Sequence, residues 1–256
     1  MSEWLAERSR VLNIAHRGAS KVTPENTLVA FERARALGAD GVEFDVMKCA
    51  SGEVVVFHDE TVDRTTDGEG LVAKKTLDEL KELDASGEFH SQVGRVEIPT
   101  LDETLDYLGK DVLIDIEIKS ETVRTDGIEE LVVRTLNRHA LHDNVLVASF
   151  NPAALKRVRT MAPGLPRALI VSEKQRFYLR RQWFARSVQP AYVHPHINMI
   201  NQKNMAKWRK RDYRIGVWTV NDQTLMTRLL QYGIDALISD DPAAVSAVLG
   251  TRSDFR

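Results

Sequence analysis

"NIAHRGASKVTPENTLVAFERARALGADGVEFDV", residues 13–46, holds a complete structural unit. It begins inside a short apolar run, residues 11–15, that stops abruptly at His16-Arg17-Gly18. A loop with Pro24, Glu25 and Asn26 follows, then a helical pattern over 27–37 and a stop at Gly38. Proline and asparagine suit a helix start, and glycine suits a helix stop. A second apolar run, 41–46, closes the unit. Strand, helix and strand in that order predict parallel strands joined by a helical crossover.

The same alternation continues nearly to the end of the chain. Further strands are predicted at 54–58, 112–118, 145–149, 168–171, 191–194, 215–220 and 236–239. Most are short and rich in Val and Ile, as strands buried on both faces should be. Helices are predicted at 101–108, 128–140, 152–161, 175–185, 204–211, 223–232 and 242–249. About eight such units in about 250 residues suit a (β/α)₈ TIM barrel better than an open doubly wound sheet. The open sheet usually carries a glycine-rich phosphate loop after its first strand, and "AHRGAS" is not one. Residues 59–100 exceed an ordinary connection and hold a short helical pattern near 77–83, so they read as a small insertion after the second strand unit. The expectation is a single domain over 1–256.

The 256 residues suffice for a buried core, and a net charge of −2 gives no basic excess for nucleic acid. The lone Cys49 leaves no intrachain disulfide and no cysteine-rich metal site. The first residues carry Glu3 and Glu7 and lack the apolar run, about seven residues long, of a signal peptide. No stretch approaches the roughly 18 apolar residues of a membrane span. A cytoplasmic protein without stable membrane insertion is expected, and its oligomeric state is not readable.

Barrel enzymes gather their chemistry where strands end, at the C-terminal face. His16 and Arg17 end the first strand, and "VVVFHDE" ends an apolar run on His58-Asp59. Glu43 and Asp45 stand two apart in a strand, so both point to one side. In "VLIDIEIKS" the residues Asp115, Glu117 and Lys119 share a face in the same way. Converging carboxylates inside a barrel are costly and raise one another's pKa. One divalent cation held by Glu43, Asp45 and Glu117 would remove that cost, and an all-oxygen set suits Mg²⁺ or Ca²⁺ rather than zinc. The alternative is internal pairing of the carboxylates with Arg17, Lys119 and other cations. A hard cation, an arginine and two histidines fit phosphodiester cleavage. The cation neutralises part of the phosphate charge, one histidine deprotonates the attacking oxygen, and the other protonates the departing alkoxide.

Seven stretches carry a resemblance: "HRGASKVTPENTLVAFERARALGADGVEFDV", "GEVVVFHDETVDRTT", "IPTLDETL", "IDIEIK", "SFNP", "VWTVN" and "GIDALISDDP". In this order, from residue 16 to residue 242, the chain resembles the glycerophosphodiester phosphodiesterases, which are TIM barrels. The resemblance implies an acid–base pair His16 and His58 and a metal site of Glu43, Asp45 and Glu117. It implies that Arg17 contacts the phosphate, that Lys119 lies near metal and phosphate, and that Trp218 walls the substrate pocket. The implied reaction converts a small-molecule glycerophosphodiester to sn-glycerol 3-phosphate and an alcohol, with water or the substrate's own hydroxyl as first nucleophile. A lysophospholipase D acting on lysophospholipids is the second reading, and a non-catalytic phosphodiester-binding protein the third. One turn departs from the family's Thr-x-Asp-Gly pattern and reads Cys49-Ala50-Ser51-Gly52; Gly52 keeps the turn and Ser51 partly replaces the aspartate.

Weaker signals stay open. His194 and His196 near the end of a strand line the pocket or serve packing. Cys49 reads as inert, and His90, His139 and His142 as surface residues. The basic and aromatic stretch "EKQRFYLRRQWFARSVQP", residues 173–190, is expected to be an ordinary outer helix with an apolar stripe, rather than a lipid-facing one.

Overall fold

A computed structural model describes residues 2–7, 10–120 and 122–250. Its strands are β1 (Leu12–His16), β2 (Gly41–Lys48), β3 (Val54–Val56), β4 (Leu113–Ile118), β5 (Val145–Ser149), β6 (Arg167–Val171), β7 (Tyr192–Pro195), β8 (Arg214–Val217) and β9 (Ala236–Ser239). Among the described residues β1 pairs in parallel with both β2 and β9, and the pairing passes from β9 through β8, β7, β6, β5 and β4 back to β2. Eight parallel strands therefore close into a barrel, with helices between them. β3 is not a stave of it. It runs antiparallel to the far end of β2, with Val56 opposite Val46 and Val54 opposite Lys48.

Side-chain alternation divides the core in two. Val42, Phe44 and Val46 of β2 and Ile114, Ile116 and Ile118 of β4 point outward and pack under the helices. Leu12 and Ile14 of β1, Leu113 of β4, Leu146 and Ala148 of β5, and Ile238 of β9 fill the lower interior. This is the layered filling that makes such a barrel a packed body rather than a pore. The upper interior positions carry the charged residues instead.

The floor is sealed from outside the barrel. Trp4 is fully buried and packs edge-on against Tyr192 at 5.5 Å. Its indole N–H donates to the carbonyls of Asn144 at 2.9 Å and Ile114 at 3.2 Å. The Tyr192 hydroxyl and Arg214 Nη1 both donate to the Trp4 carbonyl, at 3.0 and 2.8 Å.

The first crossover helix is Leu28–Ala36, capped by the Thr27 side chain, which accepts from the Ala30 N–H. Between β3 and the helix Leu101–Leu108, a small cluster of Cys49, Val55, Phe57, Val62, Val72, Leu80, Ala85 and Ile98 forms its own core. Cys49 is buried there. The Ser51 hydroxyl accepts from the Leu77 N–H at 2.9 Å, and Gly52 turns the chain at a φ of +104°. His139 is half-buried between Asp102 and Asp106, at 2.8 and 3.2 Å, rather than a free surface residue. The expected outer helix over 175–185 is a correction. Two four-residue helices, Phe177–Arg180 and Ala185–Val188, take its place, and the aromatic residues of the supposed stripe face solvent. The apolar side chains of the stripe are present, but the segment does not lay its aromatic ones against the barrel.

Candidate active site

Three carboxylates meet at the upper end of the barrel interior. Glu43 and Asp45 come from β2 and Glu117 from β4, where Asp45 stands opposite Glu117 in the register. One oxygen from each lies within 4.8 Å of the others, and all three side chains are buried. Lys119, one residue past β4, reaches back between them, with its Nζ 2.7 Å from Glu117 and 2.9 Å from Asp45. Arg17 places its Nε 3.3 Å from Asp45, and its backbone N–H donates to Glu43 at 3.1 Å.

The turn after β1 explains how Arg17 gets there. Arg17 and Gly18 both take left-handed backbone angles, φ +56° and +82°. A Cβ on Gly18 would stand 2.6 Å from the Ala30 Cβ and 2.7 Å from its carbonyl carbon, so the turn can press against the first helix only as glycine. The Pro24–Thr27 loop returns beneath it. Glu25 accepts from Arg17 Nη1 at 2.9 Å, and Asn26 donates its side-chain N–H to Asp45 at 3.0 Å.

Each histidine has an aspartate behind it. His16 Nδ1 lies 2.6 Å from Asp240 just beyond β9, and His58 Nδ1 lies 2.5 Å from Asp59. An ionised carboxylate only accepts, so each Nδ1 carries the proton and each Nε2 is left with a lone pair. His16 Nε2 points toward Glu43, 3.9 Å away. Arg64, from the segment after β3, ties the two sides together. It donates to Asp59 at 2.5 Å and to both oxygens of Glu25 at 2.7 and 2.8 Å. Asp240 also accepts from Ser20 at 3.1 Å and Asn221 at 2.5 Å, which hold its carboxylate in place.

The charges do not balance. Burial pushes Glu43 well above the usual carboxylate range, and Asp45, Glu117 and Asp115 push it further. Burial also raises Glu117, to about 7, with Lys119 resisting and Asp45 adding to the rise. Asp45 overcomes its burial through Lys119 and Arg17 and is held well below the ordinary value. Burial, with Lys119 and Arg17 adding to it, keeps His58 below the usual imidazole value. Lys119 and Arg17 are thus too few for the carboxylates around them. A site that raises the pKa of two buried glutamates is short of positive charge, and its carboxylate donors are all oxygen. A hard divalent cation fits both conditions.

Comparison with known proteins gives the family. The sequence profile of the glycerophosphoryl diester phosphodiesterase family matches residues 16–244. The chain belongs to that family. This phosphodiesterase is 41% identical over 235 residues to the glycerophosphodiester phosphodiesterase of Caldanaerobacter subterraneus subsp. tengcongensis, covering 91% of this chain and 95% of the relative. It is 32% identical to the glycerophosphodiester phosphodiesterase of Bacillus subtilis, over 93% of this chain and 86% of the relative. A solved phosphodiesterase of Oleispira antarctica, in complex with the product sn-glycerol-3-phosphate, superposes with a TM-score of 0.82 at 33% identity, covering 93% and 96% of the two chains.

The remaining residues of the phosphodiesterase's mouth divide between rim and interior. Trp218, just after β8, donates its indole N–H to the His194 carbonyl at 2.8 Å and packs edge-on against Phe150 and His196 at 5.5 and 5.1 Å. His196 belongs to that rim. His194 does not line the pocket: it is buried against Gly216 and lies 3.4 Å from Asp115. Burial lowers His194 to about 3, so its ring is neutral and its contact with Asp115 is not an ion pair; burial also raises Asp115 above the usual carboxylate range. Sequence reasoning missed Glu25, Arg64, Asp240 and Asn26 as parts of the site. Only the acidic neighbour of His58 was adjacent enough in the chain to be visible.

Proposed function

We propose that this chain hydrolyses glycerophosphodiesters to sn-glycerol 3-phosphate and an alcohol, using one divalent metal ion and the histidine pair. Three buried carboxylates within 4.8 Å of one another, between two aspartate-backed histidines, carry the reading. Glu43, Asp45 and Glu117 would hold Mg²⁺ or Ca²⁺. A bound ion would neutralise phosphate charge as it builds up in the transition state. Arg17 and Lys119 bind and orient the phosphate, and Trp218 forms the apolar wall beside it. His16 and His58, each with its Nε2 free, divide the proton transfers: one takes the proton of the attacking oxygen and the other returns one to the departing alkoxide. The attacking oxygen is that of water or of the glycerol itself. The reaction belongs to one barrel domain with residues 59–100 folded onto it, in the cytoplasm, where a buried thiol such as Cys49 persists reduced.

The test is release of sn-glycerol 3-phosphate from glycerophosphocholine, glycerophosphoethanolamine and glycerophosphoglycerol. It is run with chelator and again with Mg²⁺, Ca²⁺ or Mn²⁺ restored. Release that needs an added ion is the expected result; equal release in chelator would remove the metal from the mechanism. Lysophospholipids are the second substrate class, favoured by the exposed Phe177, Trp183 and Phe184 in the segment that leaves the rim. Lysophosphatidylcholine in the same panel separates the two.

A further inference from the structure

Residues 172–176 leave the C-terminal end of β6 and so begin on the rim of the mouth. The ten residues that follow turn their largest apolar groups outward: Trp183, Phe177 and Phe184 are 62%, 53% and 47% exposed. These rings are not loose. Phe177 meets Trp183 edge-on at 5.4 Å and Tyr178 at 5.7 Å, and Tyr178 meets Phe184 at 6.2 Å. The result is a knit aromatic cluster standing in solvent. Exposed apolar groups scattered singly need no account, but a rigid group of four rings does.

Cations surround the cluster. Residues 173–190 contain Lys174, Arg176, Arg180, Arg181 and Arg186 against one carboxylate, in a chain whose net charge is −2. That carboxylate, Glu173, turns away to His196 at 3.1 Å and Asn198 at 2.8 Å. Among the described residues the Arg176 side chain finds only the Tyr178 hydroxyl, and that of Arg180 only the Glu173 carbonyl. Lys207 and Arg211 add to the excess from the neighbouring helix, reaching the Arg181 carbonyl at 3.3 Å and the Gln182 side chain at 3.2 Å. Burial and the charges of Arg211 and Arg181 lower the Lys207 pKa, and among the described residues no carboxylate is paired with Lys207, Arg181 or Arg211.

We propose that the aromatic and basic face of residues 174–186 docks this enzyme on an anionic lipid bilayer. Aromatic rings settle at the boundary between headgroups and acyl chains, and arginine and lysine bind the anionic headgroups around them. A second copy of the chain is a poorer match, because both faces would bring the same uncompensated cations together. The docked orientation brings the mouth toward the membrane: Leu179 and Phe184 line a small cleft with Phe150, and Phe150 packs against Trp218 of the site. The inference goes beyond the proposed reaction and holds whichever phosphodiester is the substrate.

The experiment is co-sedimentation of the full chain with phosphatidylcholine vesicles, with and without phosphatidylglycerol, at low and high salt. Tryptophan emission is followed in parallel. Trp4 and Trp208 are already buried and Trp218 is half-buried, so Trp183, at 62% exposed, contributes most of any blue shift on binding, and the Trp183→Ala variant separates its share from that of Trp218. Binding that requires phosphatidylglycerol, weakens in high salt and carries a blue shift is expected. Arg180→Glu with Arg181→Glu should weaken partitioning roughly 10-fold or more. Trp183→Ala should remove the blue shift. Both variants should turn over glycerophosphocholine like the parent, which shows them folded. Three results overturn the proposal: no preference for phosphatidylglycerol, unchanged binding by the double variant, or a concentration-dependent dimer without vesicle binding.

Discussion

His16 and Asp240 are 224 positions apart in the chain and 2.6 Å apart in the fold. No local pattern joins them, and their pairing depends on the closure of β1 onto β9. His58 and Asp59 are neighbours and could be read directly, as could the i, i+2 pair Glu43 and Asp45. The sequence thus exposed the groups proposed to react and hid most of those that aim them. Each type predicts its own signature. His16→Ala should lower turnover by at least about 100-fold, the ordinary worth of a positioned acid or base. Asp240→Asn keeps the shape but offers an N–H to Nδ1, favouring the tautomer whose Nε2 is occupied. It should cost about 10- to 100-fold in kcat and alter the pH–rate profile, with an unchanged circular dichroism spectrum. An Asp240→Asn enzyme with parental rate and profile would show that the aspartate only packs.

The strands were legible because burial on both faces leaves them almost no choice of composition, and the structure shifts most of their limits by a residue or two. The 54–58 run is a strand outside the count of eight: it pairs antiparallel with β2, a direction that β-rich composition does not encode. Residues 175–185 failed for the opposite reason. Their apolar spacing suited a helix, and nothing in spacing says whether the apolar side meets a barrel or solvent. Close packing between elements is equally invisible until built. A Cβ on Gly216 of β8 would lie 2.9 Å from the His194 ring. Gly216→Ala is therefore expected to destabilise by about 1–3 kcal/mol, as overpacking does, in urea unfolding. His194→Ala in the same chain should recover part of that loss, and no recovery would place the clash elsewhere.

The buried carboxylates make stability depend on pH in a direction that can be worked out. Glu117 titrates at about 7 in the fold, against 4.5 for the free group. The folded state holds that proton more tightly, so the contribution is full below the unfolded value and lost as pH rises through about 7. Asp240 runs the other way: depressed from 3.8 to about 2, it stabilises above its unfolded value and ceases to do so as pH falls through about 2. The carboxylates therefore favour pH 5.5 over pH 8 in metal-free protein, while His194 and His58, both lowered by burial, pull the other way, so the carboxylate part is read as Mg²⁺ raising the melting temperature more at pH 8 than at pH 5.5. Calorimetry in weak buffer near neutrality should also find protons released as Mg²⁺ binds. An Mg²⁺-induced rise in melting temperature that is the same at both pH values, with no proton release, would contradict the charge imbalance. The Trp4 plug gives this whole arrangement a geography. With its floor bolted shut by the first few residues, the barrel is a cul-de-sac. A substrate that enters at the end where the carboxylates sit would release its products by the same end, so a residue on that rim would govern traffic without touching a reacting atom.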